Sequence, residues 1–282
     1  MQAYEYKVNQ IPSMELTTLL LSIENHIAHV RFNRPERANA LNQLAWDEVQ
    51  QVFETLDEDE NVRVIVLSGE GKHFCSGIDL ELLMSIGGLN NTCEGRKREQ
   101  LRRQVLALQA PINAIEQCSK PVIAAVHGGC IGGAVDIIAA CDMRYSTEDA
   151  YFTIREIDMG MVADLGTLQR LPRLIPEGMM REMAYTGRKV HGPEAARIGL
   201  VNATYATVDS LHEGVNELAG QIASKSPIAI RGTKHILNHA RDHSVADGLS
   251  YMATWNAAML LSTDLAEAFQ ATLQKRPATF DN

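Results

Sequence analysis

Apolar positions along the chain alternate between two periods. Leu16 to Ile23 and Ile27 to Phe32 are strand-like runs around Glu24-Asn25-His26, which reads as a hairpin, and Asn33-Arg34-Pro35 ends the pair. Asn42 stands where a helix cap belongs, ahead of Leu44, Val49, Val52, Phe53 and Leu56 at helical spacing, with acidic residues expected on the outer face. Val62 to Leu67 and Pro121 to Val126 are β-branched runs too short for helices, and His127-Gly128-Gly129 ends the second. Met143 to Ser146 and Tyr151 to Ile154 predict further short strands. Leu101, Val105, Leu108, Ile112 and Ile115 keep a helical period that Pro111 should kink or restart. The early and middle chain thus predicts an α/β fold of parallel β-α-β units with right-handed crossovers. From about Leu165 onward the pattern is helical apart from Val201 to Tyr205. Pro176, Pro193 and Pro227 mark helix starts, and Gly192, Ser226 and Asp264 with Glu267 add start signals. No repeat and no low-complexity tract interrupts the chain.

Composition narrows the function. The chain has 282 residues, 45% of them hydrophobic and 22% charged, which suits a globular protein with a sizeable core. A net charge of −9 opposes nonspecific nucleic-acid binding, which rests on Lys and Arg, and no apolar run is long enough to span a bilayer. Five scattered cysteines without a C-x-x-C pair argue against a disulfide framework or a zinc site. With no secretory or transit pattern at the start and no peroxisomal address at the end, the cytoplasm is the expected location.

Candidate chemistry concentrates between Pro121 and Thr167. Gly132 and Gly133 open a helix whose free N–H groups and positive dipole end favour a developing negative charge, and Asp136 lies three residues on, near the same face. Helix capping alone accounts for Asp136 equally well. Glu156 and Asp164 follow in TIREIDMGMVADLGT, where apolar neighbours and mutual repulsion would favour the protonated forms; surface placement is the plainer expectation for Glu156. In HFCSGID, Gly77 permits close backbone approach, so Ile78 and Gly133 could together form a two-donor anion hole, while Asp79 caps the helix from Leu80. Residues 85 to 98 have the composition of a surface loop of the kind that covers a site. Other signals carry less. Cys75 lacks the basic neighbour that would make a thiolate. His235, His239 and His243 form a helix-face stripe without the metalloprotease pattern, and Ser68 to Lys72 lacks P-loop spacing.

The segments NRPERANALN (33 to 42), HFCSGIDL (73 to 80), KPVIAAVHGGCIGGAVDIIAACDMRY (120 to 145) and LGTLQRLPRLI (165 to 175) resemble the enoyl-CoA hydratase/isomerase, or crotonase, superfamily. The resemblance implies a spiral of β-β-α units over residues 15–205, preceded by a loose arm (1–14) and followed by a helical trimerisation region (206–282). It implies acyl-CoA thioester substrates, trimers or dimers of trimers, no metal or redox cofactor, and no nucleic-acid or membrane partner. The oxyanion-hole donors fall on Ile78 and Gly133, and CoA contacts on Arg37, Ala38, Ser76, Asp79 and Leu80. Lys275 or Phe280 would approach a neighbouring subunit's ligand. The hydratase glutamates correspond to Asp136 and Glu156, the first shortened to aspartate. Where hydratases have a glycine-rich P-G-A-G-G, this chain has Met161-Val162-Ala163-Asp164-Leu165-Gly166, which adds an acid. The trio Asp136, Glu156 and Asp164 is similar to that of the Δ3,5-Δ2,4-dienoyl-CoA isomerase subgroup. That implies Glu156 at C2, Asp164 at C6 and Asp136 tuning the pair. The alternatives are a 2-enoyl-CoA hydratase or, with less in its favour, a noncatalytic RNA-binding relative.

Overall fold

The computed structural model describes residues 14–86 and 93–282, so the expected N-terminal arm and the centre of the 85–98 loop lie almost wholly outside the described residues. In chain order the strands are β1 (Leu19–Glu24), β2 (Ile27–Phe32), β3 (Val64–Gly69), β4 (Val122–Val126), β5 (Gly129–Ile131), β6 (Met143–Thr147), β7 (Tyr151–Thr153), β8 (Val190–His191) and β9 (Ala203–Tyr205). The helices are α1 (Gln43–Glu58), α2 (Leu80–Ile86), α3 (Glu94–Gln117), α4 (Gly133–Ala140), α5 (Thr167–Arg170), α6 (Glu177–Thr186), α7 (Gly192–Arg197), α8 (Val208–Ala223), α9 (Pro227–Arg241), α10 (Val245–Met259) and α11 (Thr263–Gln274).

β1 and β2 pair antiparallel with Glu24 opposite Ile27, and Asn25 and His26 both take positive φ (51° and 66°), as a two-residue hairpin turn requires. From β2 onward the main sheet is parallel, in the order β1-β2-β3-β4-β6-β9. The central strands β3 and β4 are buried at every position because both faces of the sheet are covered. Val64, Val66, Ile123 and Ala125 pack with Leu211, Val215 and Ala219 of α8, whereas Ile65, Leu67, Val122, Ala124 and Val126 join the core with α1, α3 and α4. A small second sheet, β5-β7-β8, turns away from the first. The sequence pattern showed only part of it: Tyr151 to Ile154 was expected and forms β7, but Gly129, read as the end of a strand, begins β5 opposite Tyr151.

Other expectations need correction. α3 runs through Pro111 unbroken, since Leu108, Pro111, Ile112 and Ile115 are all buried and that burial offsets the lost bond. Its first turns are solvent-facing, Leu101 is 40% exposed, and residues 94 to 98 are helix rather than loop. On α1, Leu44 is exposed and Trp46 takes its place in the core. The acidic Glu48 is buried, where its carboxylate accepts the N–H groups of Thr17, Thr18 and Leu19 and ties down the start of β1. Asn42 and Ser226 cap as expected, accepting from Ala45 and Ala229, but Ser262 and not Asp264 caps α11. Asp264 instead turns inward to Ser226 Oγ at 2.5 Å.

Candidate active site

Two isolated parallel bridges, Leu41 with Ile78 and Cys75 with Cys130, stitch the loop after β3 to its neighbours. Leu41 donates to Gly77 O at 2.8 Å and accepts from Asp79 N–H at 3.0 Å. The groups flanking Ile78 therefore face Leu41, and Ile78 N–H faces the opposite side, toward α4. On the other bridge Cys75 donates to Gly129 O and accepts from Ile131 N–H, both at 3.1 Å. Gly77 sits at φ +84°, and a Cβ there would meet Ile131 O at 2.4 Å and Gly133 N at 3.1 Å, so only glycine allows this approach. Among the described residues neither Ile78 N–H nor Gly133 N–H has a protein acceptor. Gly133 is also the first residue of α4, so its N–H stands at the positive helix end. The pair is an anion-binding geometry, with Ile78 and Gly133 placed together as the sequence suggested.

One carboxyl, Glu156, lies beside this pair, and Asp136 and Asp164 are close enough to act on it or on each other. Glu156 begins a 3-10 turn (Glu156–Met159) and lies over Gly132, where a Cβ would be 3.2 Å from its Oε1. It is half-buried rather than a surface charge, and its Oε2 is enclosed without a partner. Burial raises its proton affinity, and Asp164 raises it further. Asp136 is wholly buried in α4. Thr167 N–H donates to its Oδ1 at 2.6 Å, and its Oδ2 has no partner. Burial, with contributions from Glu156 and Asp164, pushes it up to about 7. Asp164 is exposed over the whole residue, yet desolvation still raises its carboxyl. Its backbone oxygen accepts from Gln109 Nε2 of α3 at 2.6 Å.

The cleft above Gly133 has a volume of about 550 Å³ and is lined by Arg37, Ser76, Ile78, Asp79, Leu80, Gly133 and Glu156, with Leu83, Ile131, Met159 and Met161 as apolar walls. Ala38 is not among its lining residues: it takes a left-handed φ of 50° and its carbonyl accepts Ser76 N–H, so the neighbouring Ala40 lines the cleft instead. Nor do Asp136 and Asp164 line it; the first is wholly buried and the second is exposed. The Asp79 carboxylate is committed to the scaffold, capping α2 through Glu81 N–H and pairing with Arg34 at 3.3 Å. Phe280 lies against its own chain, its carbonyl accepting from Arg63 Nη2, in a separate cavity with Trp255 and Leu265. The histidine stripe packs on α10, with His235 stacked on Trp255 and bonded to Tyr251 OH, and among the described residues no His/Cys/Asp/Glu group forms a metal site.

Sequence reasoning passed over Asn39 and Thr167. Buried Asn39 donates to the carbonyls of Glu70, His73 and Phe74 and so fixes the entry to the Ile78 loop. Its signal was an asparagine after a Pro-containing turn, and it adopts φ 55°. Thr167 left no signal, because a backbone donor carries no side-chain signature.

The sequence profile of the enoyl-CoA hydratase/isomerase family matches residues 22–282. A peroxisomal Delta(3,5)-Delta(2,4)-dienoyl-CoA isomerase of Arabidopsis thaliana is 49% identical over 259 residues, covering 91% of this chain and 93% of its own length. The mitochondrial enzyme of that name from Homo sapiens is 43% identical over 257 residues, 90% of this chain and 78% of its own. In structure, an enoyl-CoA hydratase from Bacillus anthracis superposes with TM-score 0.84 at 30% identity, over 94% of this chain and 99% of that one. The α/β spiral is therefore the crotonase fold, and the chain belongs to the enoyl-CoA hydratase/isomerase family.

Proposed function

We propose that this chain is a Δ3,5-Δ2,4-dienoyl-CoA isomerase that moves two double bonds of an unsaturated acyl-CoA into conjugation with the thioester. The observation that carries the reading is the Glu156 carboxyl over Gly132, beside the unbonded N–H groups of Ile78 and Gly133, with Asp164 as a further acid. Relatives at 43% and 49% identity that are named for this activity support it. Glu156 removes a proton from C2. The electron pair spreads through the diene onto the thioester oxygen, where the two N–H groups hold it, an effect of about 3 kcal/mol per donor in comparable sites. Asp164 delivers a proton at C6, and exchange between the two carboxyls and solvent restores the starting state. The change is redox-neutral proton transfer, so its chemistry calls for no metal or redox cofactor. Asp136, protonated below about pH 7, then adds no third negative charge beside Glu156 and Asp164.

Coenzyme A lies along Arg37, Ser76, Asp79 and Leu80, with Ala38 behind them, and Arg37 supplies a phosphate contact. The acyl chain follows Ile131, Met159 and Met161. Exposed Leu249, Leu261 and Leu273 on and beside the C-terminal helices support a homo-oligomer, a trimer or dimer of trimers. Four of the five cysteines are buried thiols, which suits a reducing compartment such as the cytoplasm, and no helix among the described residues is long and apolar enough to cross a membrane. Incubation with 3,5-octadienoyl-CoA should generate the near-ultraviolet absorbance of a conjugated 2,4-dienoyl thioester. Absence of that signal alongside brisk hydration of crotonyl-CoA would replace the proposal with a hydratase.

A further inference from the structure

Residues 164 to 167 carry Asp164 and the Thr167 N–H that meets Asp136, yet they are a loop that ends only at the first residue of the four-residue α5. Their position must come from neighbours. Gln109 holds Asp164 O from α3, and Thr167 N–H is held by Asp136, each at 2.6 Å. The third hold is Arg170. Its Nη1 reaches Leu165 O at 3.4 Å, and its guanidinium lies over Gly166, which sits at φ +129° and where a Cβ would be 1.8 Å from Nη1.

The guanidinium is itself clamped. Nε and Nη2 donate to the two oxygens of Glu116 at 3.1 and 2.9 Å, and Nη2 also donates to Asn113 Oδ1 at 2.8 Å. Arg241, in the last turn of α9, closes on Glu116 from the C-terminal region. Arg170 and Glu116 are largely enclosed, with side chains 12% and 17% exposed. Burial alone would raise Glu116, but the bonds from both arginines outweigh it and hold the carboxyl below its ordinary range. The clamp therefore stays charged through neutral pH. A planar fork on a carboxylate fixes direction as well as distance, which a lysine could not do.

We infer that Arg170 is a positioning residue for the reaction: through Leu165 and Gly166 it fixes where Asp164 presents its carboxyl, and Arg241 ties that placement to α9. The kinetic part rests on the isomerase reading; the structural part does not. The variants are Arg170→Gln, which removes the fork, and Gln109→Leu, which loses one bond at the edge of the same segment and leaves the core intact. Arg170→Lys, which keeps the charge without the fork, is the folding control. Hydrogen exchange of peptides covering 164 to 170 should rise about 10-fold in Arg170→Gln and less in Gln109→Leu, with α4 unchanged. On 3,5-octadienoyl-CoA, kcat should fall about 10²-fold for Arg170→Gln with KM held within about 3-fold, while exchange of the C2 proton into heavy water persists. Arg170→Lys should fold like wild type but stay slow. Unchanged amide exchange in both Arg170→Gln and Gln109→Leu overturns the inference whatever the substrate. Equal losses of C2 exchange and isomerisation overturn it as well, because general disruption would do that. An inactive wild type would refute the reaction, while amide exchange would still judge the clamp.

Discussion

Thr167 donates its backbone N–H to Asp136 Oδ1 at 2.6 Å and leaves Oδ2 enclosed without a partner. One donor favours the carboxylate, whereas complete burial disfavours it, and burial wins: the group is pushed up to about 7. With Oδ1 occupied as acceptor, the proton resides on Oδ2. Below about pH 7 Asp136 is then protonated, and Glu156 can ionise without the added repulsion of its charge.

This makes a stability prediction with a defined sign. Above the ordinary value of 3.8 the unfolded chain releases a proton that folded Asp136 keeps until about 7. The folded state binds more protons across that window, so stability falls as pH rises through it and levels off above. Asp136→Asn removes its share of the slope and leaves the smaller shares of Glu156 and Asp164. The variant should match wild type at the acid end and gain on it by a few kcal/mol at about pH 8. Urea denaturation of both proteins across this range checks it; parallel curves would mean that the carboxyl titrates normally.

Glu156→Gln keeps the shape over Gly132 but cannot accept a proton. Isomerisation should drop about 10³-fold, within the usual range for loss of a positioned general base, while affinity for the acyl-CoA changes less than about 3-fold. Titration calorimetry beside the ultraviolet assay separates the two. Retained turnover would assign the C2 proton to another group.

Much of this site was legible because its residues sit at fixed offsets from glycines. Gly77 and Gly133 mark the two donors, and Asp136 follows Gly133 within one helical turn. The second sheet was legible only at β7, which Tyr151 to Ile154 predicts; β5 and β8 are three and two residues long, too short for any period to show. The continuity of α3 through Pro111 was hidden for a different reason, since tertiary burial of Ile112 and Ile115 overrides local propensity. Ala38 and Ala40 differ by two positions in one turn, and only backbone geometry decides which lines the cleft.

Asp164→Asn should separate the two proton transfers. Glu156 still removes the C2 proton, so deuterium from heavy water enters the recovered substrate. Conjugated product forms about 10²-fold more slowly for want of the acid at C6. Loss of both signals together would place Asp164, not Glu156, at C2. Full activity would remove it from the mechanism.

Gly77→Ala tests the anion hole through the backbone alone. The new methyl would meet Ile131 O at 2.4 Å and Gly133 N at 3.1 Å, both backbone atoms that cannot swing aside, at a φ of +84° that side chains resist. Either the Leu41–Ile78 bridge or the Cys75–Cys130 bridge must give, and each displacement moves Ile78 N–H relative to Gly133 N–H. Loss of one such donor lowers kcat by about 10²-fold to 10³-fold, and KM changes little because the charge develops only during reaction. Gly178→Ala, in α6 with nothing within 4 Å of the added methyl, is the control and should gain about 0.5 kcal/mol of stability at wild-type activity. Turnover and thermal melting of both variants give the readout. Wild-type kcat in a folded Gly77→Ala protein would show that the paired N–H groups do not hold the thioester oxygen.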